Sequence, residues 1–160
     1  RYLRECRADP TDLIARSHAQ VAAWMSVCGL ANVNLGLSHG IGHQLGARHN
    51  VPHGITSCVM MYPVMNWNSS YVSSRQADIA RALGVDTTGM TMQEAGASGR
   101  EAVLQLVKDL GLPWRLQDVG VARDDFAALA QDALDDFIVA TNPRPVSSVD
   151  DVIAVLDSAW

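Results

Sequence analysis

The sequence predicts one all-α domain, a helical bundle-like fold of about seven helices. Apolar residues recur at three- and four-residue steps along most of the chain, and no segment alternates polar and apolar residues as a half-buried strand would. Helix-capping and helix-stopping residues bound several of these periodic segments. Because no repeat and no Pro/Gly/Ser-rich linker divides the chain, we expect a single domain over residues 1–160.

The first predicted helix carries apolar residues at helical spacing from Leu13 to Cys28 and stops at Gly29. The second covers about Leu35–Ala47. It contains four glycines, which are poor helix formers: Gly36, Gly40, Gly42 and Gly46. We therefore expect another helix or a ligand to approach this segment closely.

An apolar helix is predicted from Ile55 to Asn68, where Pro63 should kink or bend the chain. Thr91 and Glu94 have the spacing of a capping box that opens a later helix. The remaining predicted helices run over Ser69–Leu83, from Thr91 to Leu110 before Gly111, over Asp124–Phe137, and from a cap at Ser147 or Ser148 to near Trp160.

Composition excludes several classes of protein. The net charge of −5 argues against a nucleic-acid surface, and no apolar run is long enough for a membrane span. The three widely spaced cysteines, Cys6, Cys28 and Cys58, are typical of reduced thiols, and we expect a cytoplasmic protein. Since the chain begins with Arg1 rather than Met, we expect its natural N-terminus to lie upstream.

The segment from Gly36 to Gly54 contains four of the five histidines. His39 and His43 share a helix face, and His53 follows an extended Val-Pro step after that helix. Imidazoles grouped in this way can bind a divalent metal. The alternative is a set of hydrogen-bonded structural histidines. We interpret His49 as a solvated loop residue and His18 as a structural or surface residue.

Other metal and phosphate motifs do not match this segment. An H-E-x-x-H metalloprotease needs Glu where this chain has Gly40, and a structural zinc site would need paired cysteines. His39 and His43 emerge on the same side of a helix, so they cannot ligate a haem from its two faces. A phosphate-binding loop would need a preceding strand and a following Lys-Ser/Thr.

The chain resembles the iron-containing (group III) alcohol dehydrogenases. The hallmark of that family is H-x-x-x-H followed ten residues later by a histidine in P-H-G, which here reads His39–His43 and then Pro52–Gly54. Tyr62–Met65 with Asn68 is similar to the family's proline-containing helix, and Thr141–Arg144 to its C-terminal N-P-R element. The resemblance therefore covers essentially the whole chain.

The resemblance implies the family's C-terminal helical domain. It implies that His39 and His53 are metal ligands and that His43 is catalytic and cofactor-binding, lying near the nicotinamide and moving a proton or positioning the cofactor. The implied metal is Fe²⁺, with Zn²⁺ as the alternative. The implied reaction interconverts alcohols with aldehydes or ketones, using NAD or NADP bound mainly by an N-terminal domain.

Two departures from the family pattern limit this interpretation. The family's further metal ligands come from an upstream D-x-x-x-H motif, which the 38 residues before His39 do not contain. The most similar spacing is that of Asp12 and Arg16, where Arg stands in place of the motif's His. These 160 residues do not include the glycine-rich phosphate turn of the family's N-terminal nucleotide-binding domain. We therefore expect a fragment of a longer enzyme, or a truncated relative, that is inactive alone.

Two alternatives to the dehydrogenase interpretation remain. One is a non-catalytic helical binding or interaction module with a vestigial metal site. The other is a maleylacetate-reductase-like member, although Gly40 and Gly54 favour the alcohol dehydrogenase branch. Without a docking domain, an exposed apolar face would also favour association into a homo-oligomer.

Overall fold

The computed structural model describes residues 1–160, except for the side chain of Ala31. Over this range the fold is entirely helical, which confirms the predicted class. The eight α-helices are α1 (Tyr2–Ala8), α2 (Leu13–Cys28), α3 (Leu37–His49), α4 (His53–Trp67), α5 (Ser69–Ala82), α6 (Met92–Asp109), α7 (Phe126–Asp135) and α8 (Val149–Ser158). Short 3₁₀ turns lie at Leu30–Asn32, Leu116–Val119, Arg123–Asp125 and Phe137–Thr141. None of the helices in this range has the length and apolarity needed to cross a bilayer.

Local side-chain chemistry fixes several helix starts. Thr91 and Glu94 form the predicted capping box at the start of α6, and Ser148 caps α8 by accepting the Asp151 N–H. Asp12 caps α2 by accepting the N–H groups of Ile14 and Ala15. The predicted helix over Asp124–Phe137 is shorter than expected, because both of its ends are 3₁₀ turns around α7. The short helix α1 was not predicted.

The core lies between α3, α4, α7 and α8. One face of α3 is completely buried through Leu37, Ile41 and Leu45, and it packs on α4 on one side and on α7 on the other. Helix α3 is therefore held on two sides, which fixes the side chains that it presents. Helices α5 and α6 form a second, closely packed pair.

Three of the four glycines in and just before α3 lie where a neighbouring element approaches closely, as predicted. An added Cβ at Gly40 would overlap the side chain of Val139, and one at Gly42 would lie 2.9 Å from Thr56 Oγ1. A Cβ at Gly36 would lie 2.9 Å from Asn142 Oδ1. Only Gly46 has room, since its nearest neighbour would be 3.7 Å away. Close helix packing thus accounts for three of the four glycines.

Helix α4 continues without interruption through Pro63, whose ring is buried. The backbone break in this region lies instead in α5, at Val72, where φ is −133° and ψ is 26°. The proline therefore sits inside a continuous helix rather than ending one.

The apolar stripe of α2 forms a helix as predicted, but it faces solvent. Ala15 is its one buried residue, and the exposed side chains include Leu13, Ile14, Val21, Trp24 and Met25. The helix packs mainly on α1 and touches little of the core. Helical periodicity was read correctly here, but it does not show what covers the apolar face.

Candidate functional site

The structure brings together the three histidines that the sequence singled out. The ring centroids of His39 and His53 are 5.4 Å apart, and those of His39 and His43 are 6.4 Å apart. The His43 and His53 rings are 6.3 Å apart and nearly parallel, at 23°. Two neighbouring helices, α3 and α4, therefore contribute to one group of imidazoles.

Close packing of α3 on α4 explains how His39 and His53 meet. Gly42 of α3 faces Thr56 of α4 in close contact, and each histidine lies about one turn before its residue of this contact, His39 before Gly42 and His53 before Thr56. Between the helices, Asn50 adopts the left-handed conformation (φ 52°) and its N–H caps α3. The chain then extends through Pro52, and α4 begins at His53 itself.

The spacing of His39 and His53 suits two ligands of a single cation. Two imidazoles bound to a tetrahedral ion through nitrogens at about 2 Å place their ring centres about 5 Å apart. The His39–His53 distance matches this spacing, whereas His43 lies farther from both partners. No set of three His, Cys, Asp or Glu side chains among the described residues is placed to hold a metal. The chain thus presents two candidate ligands and not a complete site.

The environment of His39 favours its neutral, ligand-competent form. Burial lowers the pKa of His39 below its usual range, and the neighbouring imidazoles of His53 and His43 lower it further. A metal binds the neutral imidazole, so protons compete less for His39 than for an exposed histidine.

His43 is bound by a residue that sequence reasoning missed. Its Nδ1 lies 2.8 Å from Oδ2 of Asp136, at the junction between α7 and the following 3₁₀ turn. The Asp136 side chain is only 12% exposed, while that of His43 is 41% exposed. In the sequence Asp136 belongs to an acidic stretch typical of solvated helix faces. The one signal that could have found it is its place at a helix end, where an aspartate often caps the next turn.

The two remaining histidines lie outside this group. His18 stacks on Tyr2 with ring centroids 4.0 Å apart, which agrees with a structural role. The prediction for His49 is wrong: it ends α3 rather than lying in a loop, and its side chain is only 17% exposed. Its Nε2 lies 3.7 Å from Asp125 Oδ2, because the start of α7 packs beside the end of α3.

An apolar groove of about 280 Å³ adjoins the 3₁₀ turn that carries Asp136. The groove is lined mainly by Leu30, Val33, Leu35, Phe137 and Ile138. Because Phe137 and Ile138 directly follow Asp136, this apolar surface begins next to the partner of His43.

Fold and site together define a helical domain in which two histidines, His39 and His53, are placed as candidate ligands of one cation. The chain belongs to the Fe-containing alcohol dehydrogenase family: the family's C-terminal region matches residues 1–160. Lactaldehyde reductase of Escherichia coli (strain K12) is 39% identical over 149 residues, which are 93% of this chain and 39% of that protein. The 1,3-propanediol dehydrogenase of Citrobacter freundii is 34% identical over 144 residues, or 90% of this chain and 37% of that protein.

Solved structures of related enzymes share the fold. The crystal structure of 1,3-propanediol oxidoreductase matches with a TM-score of 0.93 at 31% identity, covering 98% of this chain and 41% of that one. An alcohol dehydrogenase from Oenococcus oeni matches with a TM-score of 0.93 at 30% identity and the same coverage. The chain therefore spans about two fifths of the length of these relatives.

Proposed function

We propose that this chain is the metal-binding helical part of an NAD(P)-dependent alcohol dehydrogenase, in which His39 and His53 are metal ligands and His43 serves proton transfer. The observation that carries the proposal is the 5.4 Å separation of the His39 and His53 rings. It is the spacing expected of two imidazoles that share one cation, about 5 Å. Fe²⁺ is the proposed metal, with Zn²⁺ as the alternative, because imidazole nitrogen suits both ions.

The bound cation would act as a Lewis acid toward the oxygen of an alcohol or carbonyl substrate. The hydride would pass between substrate and nicotinamide, since the cofactor carries that chemistry. His39 and His53 would hold the cation, and burial lowers the pKa of His39, which favours its neutral form. His43 would exchange the alcohol proton with solvent, to which its side chain is 41% exposed.

The proposal includes a second domain. Two ligands leave a cation with several open positions, so further ligands and the nucleotide site would come from outside these 160 residues. The exposed apolar face of α2 supports this part of the proposal, because a large apolar patch at a surface is typical of an interface. By this proposal the chain alone is inactive.

The substrate class follows from the apolar groove beside Asp136 and from the relatives. A small groove lined by Leu, Val, Phe and Ile, with Asn34 and Thr141 as its polar side chains, favours a short-chain alcohol or aldehyde. The related enzymes are named for lactaldehyde and 1,3-propanediol, which are small molecules of this kind.

A second candidate function is a helical interaction module with a vestigial metal site. The observation that favours it is that no third His, Cys, Asp or Glu of the described residues joins the pair. The two candidates differ in whether His39 and His53 still bind a metal as a pair.

Titration of the purified chain with Co²⁺ or Zn²⁺ tests the ligand assignment. We expect weak, one-to-one binding that His39→Ala and His53→Ala each reduce by about tenfold or more, because either change leaves one ligand. His43→Ala should retain the metal, and His18→Ala is the matched control outside the group. Equal affinity of wild type and His53→Ala would refute the assignment.

The coding sequence upstream of Arg1 tests the second domain. We expect a D-x-x-x-H there, behind a glycine-rich nucleotide-binding domain. Its absence would favour the interaction module.

A further inference from the structure

Asp136 and His43 form a hydrogen-bonded pair whose two members are 93 residues apart in sequence. The carboxylate oxygen Oδ2 lies 2.8 Å from Nδ1 of the imidazole, and the Asp136 side chain is largely buried. A hydrogen bond of this length to a carboxylate is strong and directional. His43 belongs to the group of three histidines, but neither member of the pair is a proposed metal ligand.

Capping alone does not account for Asp136. Its Oδ1 accepts the Ile138 N–H at 3.1 Å, and this bond caps the 3₁₀ turn. A cap needs one oxygen, yet the second oxygen is also used, by His43. Burial opposes ionisation of Asp136, but the hydrogen bonds from His43 and the Ile138 N–H outweigh it and hold its pKa below the usual range. Asp136 is therefore a carboxylate with both oxygens engaged.

The packing around the pair leaves it little freedom. The 3₁₀ turn that Asp136 caps contains Val139, which is buried against Gly40 of α3. Gly40 lies almost one turn before His43 on the same helix. The turn and the helix thus meet where no side chain separates them, which fixes the carboxylate relative to the imidazole.

A carboxylate can only accept a hydrogen bond, so the ring nitrogen that faces it must carry the hydrogen. We propose that Asp136 is a positioning residue that holds His43 as the Nδ1–H tautomer and leaves Nε2 free as a proton acceptor. Among the described residues, the His43 side chain makes no hydrogen bond other than the one to Asp136. The catalytic meaning rests on the proposed function: Nε2 would take the alcohol proton, and Asp136 would stabilise the resulting imidazolium.

The tautomer of His43 can be measured in the metal-free chain. Long-range ¹H–¹⁵N correlation spectra at about pH 9, where an ordinary imidazole is neutral, distinguish hydrogen on Nδ1 from hydrogen on Nε2. We expect His43 to carry its hydrogen on Nδ1 in the wild type. A wild-type His43 that is mainly the Nε2–H form overturns the proposal, and this outcome requires no variant to fold.

Asp136→Asn supplies the second arm of the test. An amide has one acceptor oxygen, which we expect to stay with the Ile138 N–H, so its NH₂ group turns to His43 and favours hydrogen on Nε2. Asp136→Glu keeps a carboxylate and should retain at least part of the Nδ1–H form. Asp125→Asn changes the other His–Asp pair, next to His49, and should leave His43 unchanged. An unchanged tautomer in Asp136→Asn would overturn the proposal.

A metal titration separates this proposal from the proposed function. Asp136→Asn should bind Co²⁺ with wild-type affinity, because His43 is not a proposed ligand. Failure of the wild type to bind Co²⁺ through His39 and His53 would count against the dehydrogenase function and leave the tautomer result standing. A Co²⁺ affinity at least tenfold lower in Asp136→Asn would mean that Asp136 helps to position the ligands His39 and His53. That result would overturn the proposal that Asp136 acts by positioning His43.

Discussion

The side-chain amides of Asn68 and Asn142 bond to each other in both directions. Asn142 Nδ2 donates to Asn68 Oδ1 at 2.7 Å, and Asn68 Nδ2 donates to Asn142 Oδ1 at 3.2 Å. Both residues are buried, and Asn142 Oδ1 also accepts the Leu37 N–H at 3.2 Å. This pair therefore joins the end of α4 and the loop before α8 to the first turn of α3, which carries His39.

Replacing Asn142 should be costly. In Asn142→Ala the buried Leu37 N–H and one Asn68 donor lose their acceptor, so we expect a loss of about 2 kcal/mol or more in the free energy of unfolding. Urea unfolding monitored by far-UV circular dichroism measures it. Asn34→Ala, at an exposed position, is the control and should change stability by less than about 0.5 kcal/mol. Equal stability of the two variants would contradict the structural role of the amide pair.

The fold could be predicted from sequence wherever the determining chemistry is local. The capping box of Thr91 and Glu94 predicted the start of α6 correctly, and Gly111 predicted its end. Both signals depend only on residues that are close in sequence. The exposed stripe of α2 shows the limit, because periodicity identifies a helix but not what lies against its apolar face. His49 shows another limit, since α3 runs two residues beyond the predicted end at Ala47 and so places His49 in the helix, where it is packed rather than in a loop.

In the candidate site, too, the residues that are close in sequence could be predicted, and the residue that only the fold brings near could not. His39, His43 and His53 lie within fifteen residues, and their spacing on a helix and after a turn predicted that they would meet. Asp136 comes 93 residues after His43, and the packing of α7 on α3 brings it there. A local pattern can indicate that Asp136 caps a turn, but it does not predict the contact with His43. The glycines of α3 predicted that another part of the molecule would pack closely against this helix. Only the structure identifies Val139, Thr56 and Asn142 as the neighbours.

Acid should weaken the cap of α8 through Asp151. The N–H of Ser147 lowers the pKa of this carboxyl, opposed by slight burial, and the hydrogen bonds with Ser148 lower it further. The unfolded chain therefore binds more protons near pH 4, and the stability that Asp151 contributes is lost as pH falls through its folded-state pKa. We expect Asp151→Asn to be less stable than wild type at pH 6, by under about 1 kcal/mol, and equally stable at pH 2.

Thermal unfolding across this pH range checks the Asp151 prediction. Asp150→Asn is the matched control, because Asp150 lies exposed in the same helical turn and its side chain makes no hydrogen bond among the described residues. Its stability should follow the wild-type pH dependence. A stability difference between wild type and Asp151→Asn that persists at pH 2 would contradict the assignment.

The exposed face of α2 should bind an apolar dye. Trp24 is 67% exposed and Met25 is 64% exposed on this helix, so we expect the folded chain to enhance the fluorescence of anilinonaphthalene sulfonate. The double change Trp24→Gln with Met25→Gln should reduce that fluorescence towards the level of dye alone. Gln20→Ala, on the same helix, is the control. Dye fluorescence that is the same for all three proteins would show that the face is covered in solution.

Substituting Gly42 should weaken metal binding without unfolding the helix. A Cβ at this position would lie 2.9 Å from Thr56 Oγ1, and that hydroxyl is held by a 2.8 Å hydrogen bond to the His53 carbonyl. Because this hydrogen bond holds the hydroxyl in place, we expect the overlap to be relieved by moving α3 away from α4, and His39 and His53 lie one turn before this contact. Alanine also favours the helix by about 0.5–1 kcal/mol over glycine, so helix propensity opposes any loss.

We therefore expect Gly42→Ala to bind Co²⁺ at least about tenfold more weakly than wild type in a competition titration, with unchanged helix content. Gly46→Ala is the control on the same helix, since its Cβ would lie 3.7 Å from the nearest neighbour, Val51 O. It should bind Co²⁺ as the wild type does. Equal affinity of the two glycine variants would mean that the approach of α3 to α4 does not set the separation of His39 and His53.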